Sequence, residues 1–374
     1  MIKVSVIFGT RPEAIKMAML IKAFEKRKEI ELNVCFTGQH KEMVLPLIDF
    51  FELTVHHSLD IMRPNQTLAG LSARSFDAVD AYLQEVQPDI VLVQGDTTTA
   101  MCAATSAFYR KIKVGHIEAG LRTYNMQSPF PEEFNRQVIS KIADLHFAPT
   151  VQAQKNLAEE DVDAATVFVT GNTVIDALLF TQKKISGDAA KYKRDYPWTA
   201  NGKPFILITG HRRENFGPGF ENMCNAIKEL SVTYSDFDFV YPVHLNPNVQ
   251  KPVQEILSGQ ENIYLVPPLD YIQFTSLLAD CYFVLTDSGG VQEEAPGLGK
   301  PVLVMRDTTE RQEAVTAGVA MLVGTDKEKI IAEASRLIED KEAYKKMSTA
   351  QNPFGTGDSA EQIVEQTIRY FSAQ

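Results

Sequence analysis

Short apolar runs ending in glycine or acid alternate along this chain with longer stretches in which apolar residues recur at helical spacing. The runs Ile2–Phe8, Glu31–Phe36, Ile90–Val93, Val114–Ile117, Leu145–Ala148 and Thr166–Val169 read as strands. Their near-continuous apolar character is that of parallel strands covered on both faces. Between them, Pro12–Arg27, Met43–Phe51, Leu68–Val86, Thr97–Arg110 and Glu132–Ala143 carry a helical pattern, the first with a proline at its opening turn. A polar, irregular stretch follows at Thr181–Lys203, containing Asp195-Tyr196-Pro197-Trp198. The alternation restarts with strands at Phe205–Thr209, Phe239–Pro242, Ile263–Val266, Phe283–Thr286 and Val302–Val304, and ends in a helix over Ser359–Phe371. A strand–helix count taken twice predicts an α/β protein of two Rossmann-like domains facing across a cleft. Residues 1–170 form the first domain of this reading and 171–356 the second, with the terminal helix, 357–374, packing back on the first.

Length agrees, since 374 residues exceed what one hydrophobic core usually supports. Apolar residues at 44% and charged residues at 23% are ordinary for a globular enzyme, and no apolar stretch is long enough to span a bilayer. The chain opens directly into its first strand, which leaves no room for a signal peptide and points to the cytoplasm. Cys35, Cys102, Cys224 and Cys281 are widely spaced, so they read as buried thiols rather than disulfide partners or metal ligands. A net charge of −11 argues against a nucleic-acid binder. It leaves a nucleotide ligand open, because local arginines and backbone amides decide that question.

The candidate chemistry gathers at strand ends, where open α/β sheets bind ligands. Asp96 and Glu118 each follow an apolar strand, and Glu132 and Glu133 open a helix. Each has a structural alternative. Asp96 precedes Thr97 and is placed to cap a helix, Glu118 is placed to pair with Arg122, and acids at a helix start are favoured by its dipole. Gly9–Lys16 forms a strand-to-helix turn without a Gly-x-Gly-x-x-Gly fingerprint, so no dinucleotide cofactor is expected; Arg11 and Lys16 there suit a phosphate or sugar oxygen. In the second half, Asp287-Ser288-Gly289-Gly290 leads from a strand into a helix whose amides suit an anion, with Glu293 and Glu294 one turn on, where a carboxylate can accept the hydroxyls of a ribose. His211 lies beside Arg212 and Arg213 at a strand end and suits leaving-group chemistry. His244 repeats the strand-then-histidine arrangement, although a structural histidine is the plainer reading. Asp307–Arg311 follows Val302–Val304, taken as the last strand. Several acids in one half and a phosphate cradle in the other point to proton transfer on a phosphorylated substrate.

Taken together, Phe8–Lys16, Gly95–Thr99, Gly115–Arg122, Gly171–Ala177, Asp287–Pro296 and Arg306–Arg311 resemble the non-hydrolysing UDP-N-acetylglucosamine 2-epimerases of bacteria, and the match runs on to Asn352–Gly355. The resemblance implies a glycosyltransferase-B-like fold, a homodimer, no cofactor and no metal. It implies reversible conversion of UDP-GlcNAc to UDP-ManNAc, by elimination and re-addition of UDP through a 2-acetamidoglucal, supplying ManNAc units for cell-surface polysaccharide. By position, Asp96, Glu118 and Glu132 form its acid/base cluster and His211 assists at the diphosphate. Arg11, Lys16, Arg311, Ser288, Gly289 and Gly290 bind substrate, Glu294 takes the ribose, and Leu269 and Phe274 hold the uracil. Gln39, Arg212 and His244 match a second, activating UDP-GlcNAc site found in some members. The chain departs from the usual pattern at Gln94, Gln312, Glu42 and Asn65. A hydrolysing epimerase, a glycosyltransferase of the same fold and a non-catalytic UDP-sugar sensor are the competing readings.

Overall fold

The strand runs of the first half pair into one parallel sheet of seven: β1 (Ile2–Phe8), β2 (Ile30–Phe36), β3 (His57–Ser58), β4 (Ile90–Gln94), β5 (Lys113–Ile117), β6 (Leu145–Ala148) and β7 (Val167–Val169), in the order β3-β2-β1-β4-β5-β6-β7. Those of the second half form a six-stranded parallel sheet: β8 (Phe205–Thr209), β9 (Asp238–Pro242), β10 (Ile263–Val266), β11 (Val284–Thr286), β12 (Val302–Val304) and β13 (Ala320–Leu322), in the order β10-β9-β8-β11-β12-β13. This computed structural model describes residues 1–192 and 196–372, so the expectation at Asp195 lies outside the described residues. The chain divides into two compact units, Met1–Ala177 with Phe354–Gln374, and Leu178–Pro353.

Each strand order reverses once, between β1 and β4 in the first unit and between β8 and β11 in the second. At such a reversal the loops leaving the two strands run to opposite sides, which opens a crevice beyond their C-terminal ends. In the first unit those loops carry Gly9–Lys16 and Gly95–Thr97; in the second they carry Gly210–Arg212 and Asp287–Gly290. Topology alone therefore puts Arg11, Asp96, His211 and Ser288–Gly290 where a doubly wound sheet has room for a ligand, while Glu118 follows the adjacent β5 and Arg311 the adjacent β12.

The cores explain why these edges are fixed. Val79, Tyr82 and Leu83 of the helix Leu68–Val86 pack on Ala100, Ala103, Ala104 and Ala107 of the helix Thr98–Tyr109, the alanines allowing close approach over β4 and β5. In the second unit Ile206, Ile208, Phe239, Tyr241 and Leu285 join Phe220, Met223, Ile227 and Leu230 in one cluster. Each such aliphatic or aromatic side chain contributes about 1.5–3 kcal/mol on burial. The helix Ser359–Ser372 packs on the helix Arg11–Glu25, with Arg27 Nη2 at 3.0 Å from Glu361, and the Asp176 carboxylate accepts the Ala360 amide at 2.9 Å. All four cysteines are free and buried, and burial pushes the thiols of Cys102, Cys224 and Cys281 up to about 12. No helix among the described residues is long and apolar enough to cross a membrane.

Two readings are corrected, and one strand went unread. The stretch from Thr181 is not irregular, because the helix Thr173–Gly187 runs through it with Leu178, Thr181 and Ile185 turned inward. The exposed Gln182 and Lys183 between them hid that spacing. β12 is not the last strand; β13 pairs beside it. β3 also went unread, since two residues are too few to show any periodicity.

Candidate active site

In the first unit the turn after β1 is tight. A Cβ on Gly9 would lie 2.1 Å from Thr37 Oγ1, so only glycine fits. Thr10 then caps the helix Arg11–Glu25 in a capping box with Glu13. The Glu13 carboxylate, 1% exposed, accepts the amides of Gly9 at 3.0 Å and Thr10 at 2.7 Å, and the Thr97 hydroxyl at 2.7 Å from the loop after β4. Burial raises its carboxyl above the usual range despite those donors. Arg11 is exposed and Lys16, further along the helix, donates to Glu118.

The turn after β4 presents Asp96. Gly95 has φ +70°, its amide bonds to Ile117 O at 2.9 Å, and its carbonyl accepts from His116 Nε2 at 2.8 Å. His116 is fully buried, and burial lowers its pKa to about 3, so the ring stays neutral with its proton on Nε2. Asp96 is not the helix cap: Thr97 accepts the Ala100 amide at 3.0 Å, one residue nearer the helix. The Asp96 carboxylate turns instead to Arg136, whose Nε lies 3.0 Å from Oδ2 and whose Nη2 donates to the same oxygen, while Asn135 Nδ2 holds the Asp96 carbonyl at 2.8 Å.

Glu118 follows β5 at φ +63°, a left-handed conformation that costs a non-glycine residue about 1–2 kcal/mol. The next residues hold it there. Ala119 bonds to Phe147 O at 3.0 Å, and Gly120 is seated so closely on a helix that its Cβ would lie 2.2 Å from Ala153 O. The pairing with Arg122 is not formed. Arg122, wholly enclosed, forks onto Glu160 at 2.6 and 2.9 Å, and Glu118 Oε2 accepts from Lys16 and from Gln94 Nε2. Of the two acids opening the helix Glu132–Ile142, Glu133 is structural. It accepts the amides of Thr123 and Tyr124, the Gln137 carboxamide and Arg136. Burial would raise its carboxyl, but those hydrogen bonds and the Arg136 charge outweigh it and hold it low. Glu132 is half-buried, and no described residue hydrogen-bonds or ion-pairs with its carboxylate.

In the second unit the buried Asp287 lashes the two loops of the switch point together. Its Oδ2 accepts the amides of His211 and Arg212, both at 2.8 Å, and Asn215 Nδ2 at 3.3 Å. His211 stacks on His244 with ring centroids 5.2 Å apart. Burial, with His244 and Arg212 nearby, lowers the His211 pKa against the pull of Asp287, so the ring is neutral at pH 7. His244 is exposed, and its Nδ1 accepts the Asn246 amide at 3.1 Å. The Ser288 amide is taken by Thr286 Oγ1 at 2.9 Å, which removes it from the expected cradle. The amides of Gly289 and Gly290 remain at the start of the helix Gly289–Gly297, where no side chain caps them. Two guanidiniums lie over them: a Cβ on Gly289 would sit 3.2 Å from Arg311 Cζ and 3.5 Å from Arg212 Nη2. Arg311 is set by Glu293 at 2.9 Å and by Thr309, whose hydroxyl accepts its amide at 3.1 Å. Buried Arg306 ties Glu214 at 2.6 Å to Glu310 at 2.9 Å. Burial works to raise the Glu310 carboxyl, but Arg306 and Arg311 bring it down to about 2. Glu294 is half-buried on that helix; Leu269 and Phe274 are half-buried at the start of the helix Tyr271–Asp280. Gln39 lies in the first unit, its carbonyl accepting from Thr99, whereas Arg212 and His244 lie in the second.

The sequence profile of the UDP-N-acetylglucosamine 2-epimerase family matches residues 22–367. The UDP-N-acetylglucosamine 2-epimerase of Campylobacter jejuni is 50% identical, covering 98% of this chain and 97% of its own. That of Escherichia coli K12 is 49% identical, covering 97% of each chain. The chain belongs to the UDP-N-acetylglucosamine 2-epimerase family. A crystal structure of the Neisseria meningitidis UDP-GlcNAc 2-epimerase bound to UDP-GlcNAc superposes with a TM-score of 0.90 at 47% identity, covering 98% of this chain and all of that one. The fold extends more widely, to a glycotransferase of kitacinnamycin at TM-score 0.64 and 12% identity, which fits the glycosyltransferase-B-like architecture. In this epimerase-family chain, Glu13, Arg136, Asn135 and His116 lie around the acids without having been singled out in the sequence, whereas Gln94, a departure from the family pattern there, donates to Glu118. The Thr10-x-x-Glu13 capping box was legible, and Arg136 stands one helical turn after Glu132. Nothing local in the sequence marks His116, or Glu118 as the partner of Gln94, because these contacts cross between neighbouring strands.

Proposed function

We propose that this chain interconverts UDP-GlcNAc and UDP-ManNAc by inverting C2 of the sugar, the second unit holding the nucleotide and the first carrying the proton chemistry. One observation carries the reading: Asp96, Glu118 and Glu132 are delivered by the loops that follow β4 and β5, and the first two are held by cations through one oxygen each. C2 is a weak carbon acid, so its inversion needs a base and an acid at opposite faces, and a cluster of carboxylates supplies both. In the reaction, a carboxylate removes the C2 proton, C1=C2 forms, and the C1–O bond breaks with its electron pair leaving on the β-phosphate oxygen. That oxygen then re-attacks C1 of the 2-acetamidoglucal while C2 takes a proton on the other face. Neutral His211 suits assistance at the leaving oxygen. The Gly289 and Gly290 amides under Arg311 and Arg212 suit the diphosphate, by helix dipole and guanidinium charge. Arg11 at the first unit's edge, Glu294 for the ribose, and Leu269 and Phe274 for the uracil complete the proposed contacts. The resemblance further implies a homodimer in the cytoplasm; a sedimentation mass of two chains checks the assembly.

Incubation with UDP-GlcNAc in heavy water is expected to give UDP-ManNAc carrying deuterium at C2, read by NMR. Epimerised product without solvent deuterium would replace this mechanism with hydride transfer, and accumulating free ManNAc and UDP would favour a hydrolysing epimerase.

A further inference from the structure

Gln94 ends β4 with its side chain almost fully buried, and its carboxamide donates to Glu118 Oε2, the oxygen that also accepts from Lys16. Glu118 Oε1 takes no hydrogen bond among the described residues. Building on the epimerase reading above, we infer that Gln94 is a positioning residue for proton transfer: with Lys16 it occupies Oε2, so that Oε1 is the oxygen that exchanges a proton with the sugar.

The backbone on both sides is fixed. β4 and β5 run in register with Gln94 opposite Ile117, the Gly95 amide bonds to Ile117 O at 2.9 Å, and the Gly95 carbonyl is held by His116 at 2.8 Å. Glu118 leaves β5 at φ +63°. The backbones of Gln94 and Glu118 are thus tied to each other through β4 and β5, so any adjustment after a side-chain change falls to the side chains alone. Two donors on one oxygen also stop the carboxylate rotating and occupy the lone pairs a proton would need, leaving its twin oxygen the better base. Asp96 shows the same arrangement independently. Arg136 Nε and Nη2 both donate to Oδ2, and Oδ1 takes no hydrogen bond among the described residues.

The test uses Gln94→Leu, which keeps the bulk and deletes the donor, and Gln94→Glu, which keeps the shape and puts a second carboxylate beside Glu118. For the leucine variant kcat is expected to fall roughly tenfold, as for a reacting group held slightly out of place. KM should stay within about twofold, since ground-state binding is untouched. The effect on kcat of deuterium at C2 of UDP-GlcNAc should grow, because proton removal becomes the slow step. Gln94→Glu should be at least as impaired, since it competes for Lys16. Either variant folding with normal kcat and an unchanged isotope effect, whatever its melting temperature, would reduce Gln94 to packing and overturn the inference. A wild type that never epimerises would overturn the functional reading as well; an active wild type with unaffected variants overturns only the role of Gln94.

Discussion

The two units set charge in opposite senses at the same topological place. In the first, cations serve acids: Lys16 and Arg136 are largely enclosed and hold Glu118 and Asp96 by one oxygen each. In the second, acids serve cations and amides. Asp287 is fully buried under the loops after β8, and buried Glu293 fixes Arg311 over the open helix start. A doubly wound sheet thus offers one edge that presents carboxylate oxygens and another that presents guanidiniums and N–H groups. The first suits moving protons; the second suits retaining an anion while its bond to carbon is broken. The fold is shared, and what differs is what the enclosed partners serve: cations steady the carboxylates of the first unit, and acids steady the guanidinium and amides of the second.

The sharpest way to break this contrast is to neutralise the acids of the first unit. Asp96→Asn, Glu118→Gln and Glu132→Gln should each lower kcat by roughly 10²-fold or more, in a steady-state assay of UDP-ManNAc formation. Next comes an acid of that unit with no assigned chemistry. Glu160→Ala strands the enclosed Arg122 guanidinium and should cost about 3 kcal/mol in a denaturant titration, with kcat of the folded fraction retained. A loss of turnover there would blur the line between structural and reacting acids.

His116 offers a smaller effect with a definite sign. Its folded pKa, about 3, lies below the ordinary 6.5, so the unfolded chain takes up a proton first as the pH falls. The stabilisation is present above pH 6.5 and is lost progressively towards pH 3. The stability advantage of wild type over His116→Gln should therefore shrink by about 2 kcal/mol between pH 7 and pH 5. An advantage that does not change with pH would mean that this histidine is not held neutral behind Asp96. Smallest in free energy, Gly289→Val should raise the UDP dissociation constant by about tenfold, because the added side chain must push Arg311 aside from the helix start.

Most of the fold could be read from periodicity. Strands β1, β6, β8, β10 and β12 and the helix Leu68–Val86 stand at the boundaries the apolar runs predict. What escaped was short or obscured: β3 has only two residues, β13 is half-buried and reads Ala320-Met321-Leu322 without the β-branched residues that mark β12, and exposed Gln182 and Lys183 hid the inward face of the helix through Thr181. At the candidate site, strand-end position and family motifs named the acids, but not their partners. Glu118 has Arg122 four residues away and pairs with Lys16 instead, because its left-handed turn aims it back across the sheet. Asp96 stands where a cap belongs and is drawn to Arg136, on a helix forty residues on. Such pairings are set by strand order, which local sequence does not encode.

The account rests on a division of labour, and one crossed measurement tests it most directly. UDP affinity by calorimetry and kcat by product formation would be determined for Glu118→Gln and for Gly289→Val. The account predicts that Glu118→Gln loses roughly 10²-fold in kcat while binding UDP as wild type does, and that Gly289→Val loses UDP affinity by about tenfold. Near-normal turnover in Glu118→Gln, or UDP binding weakened by that change and untouched by Gly289→Val, would contradict it.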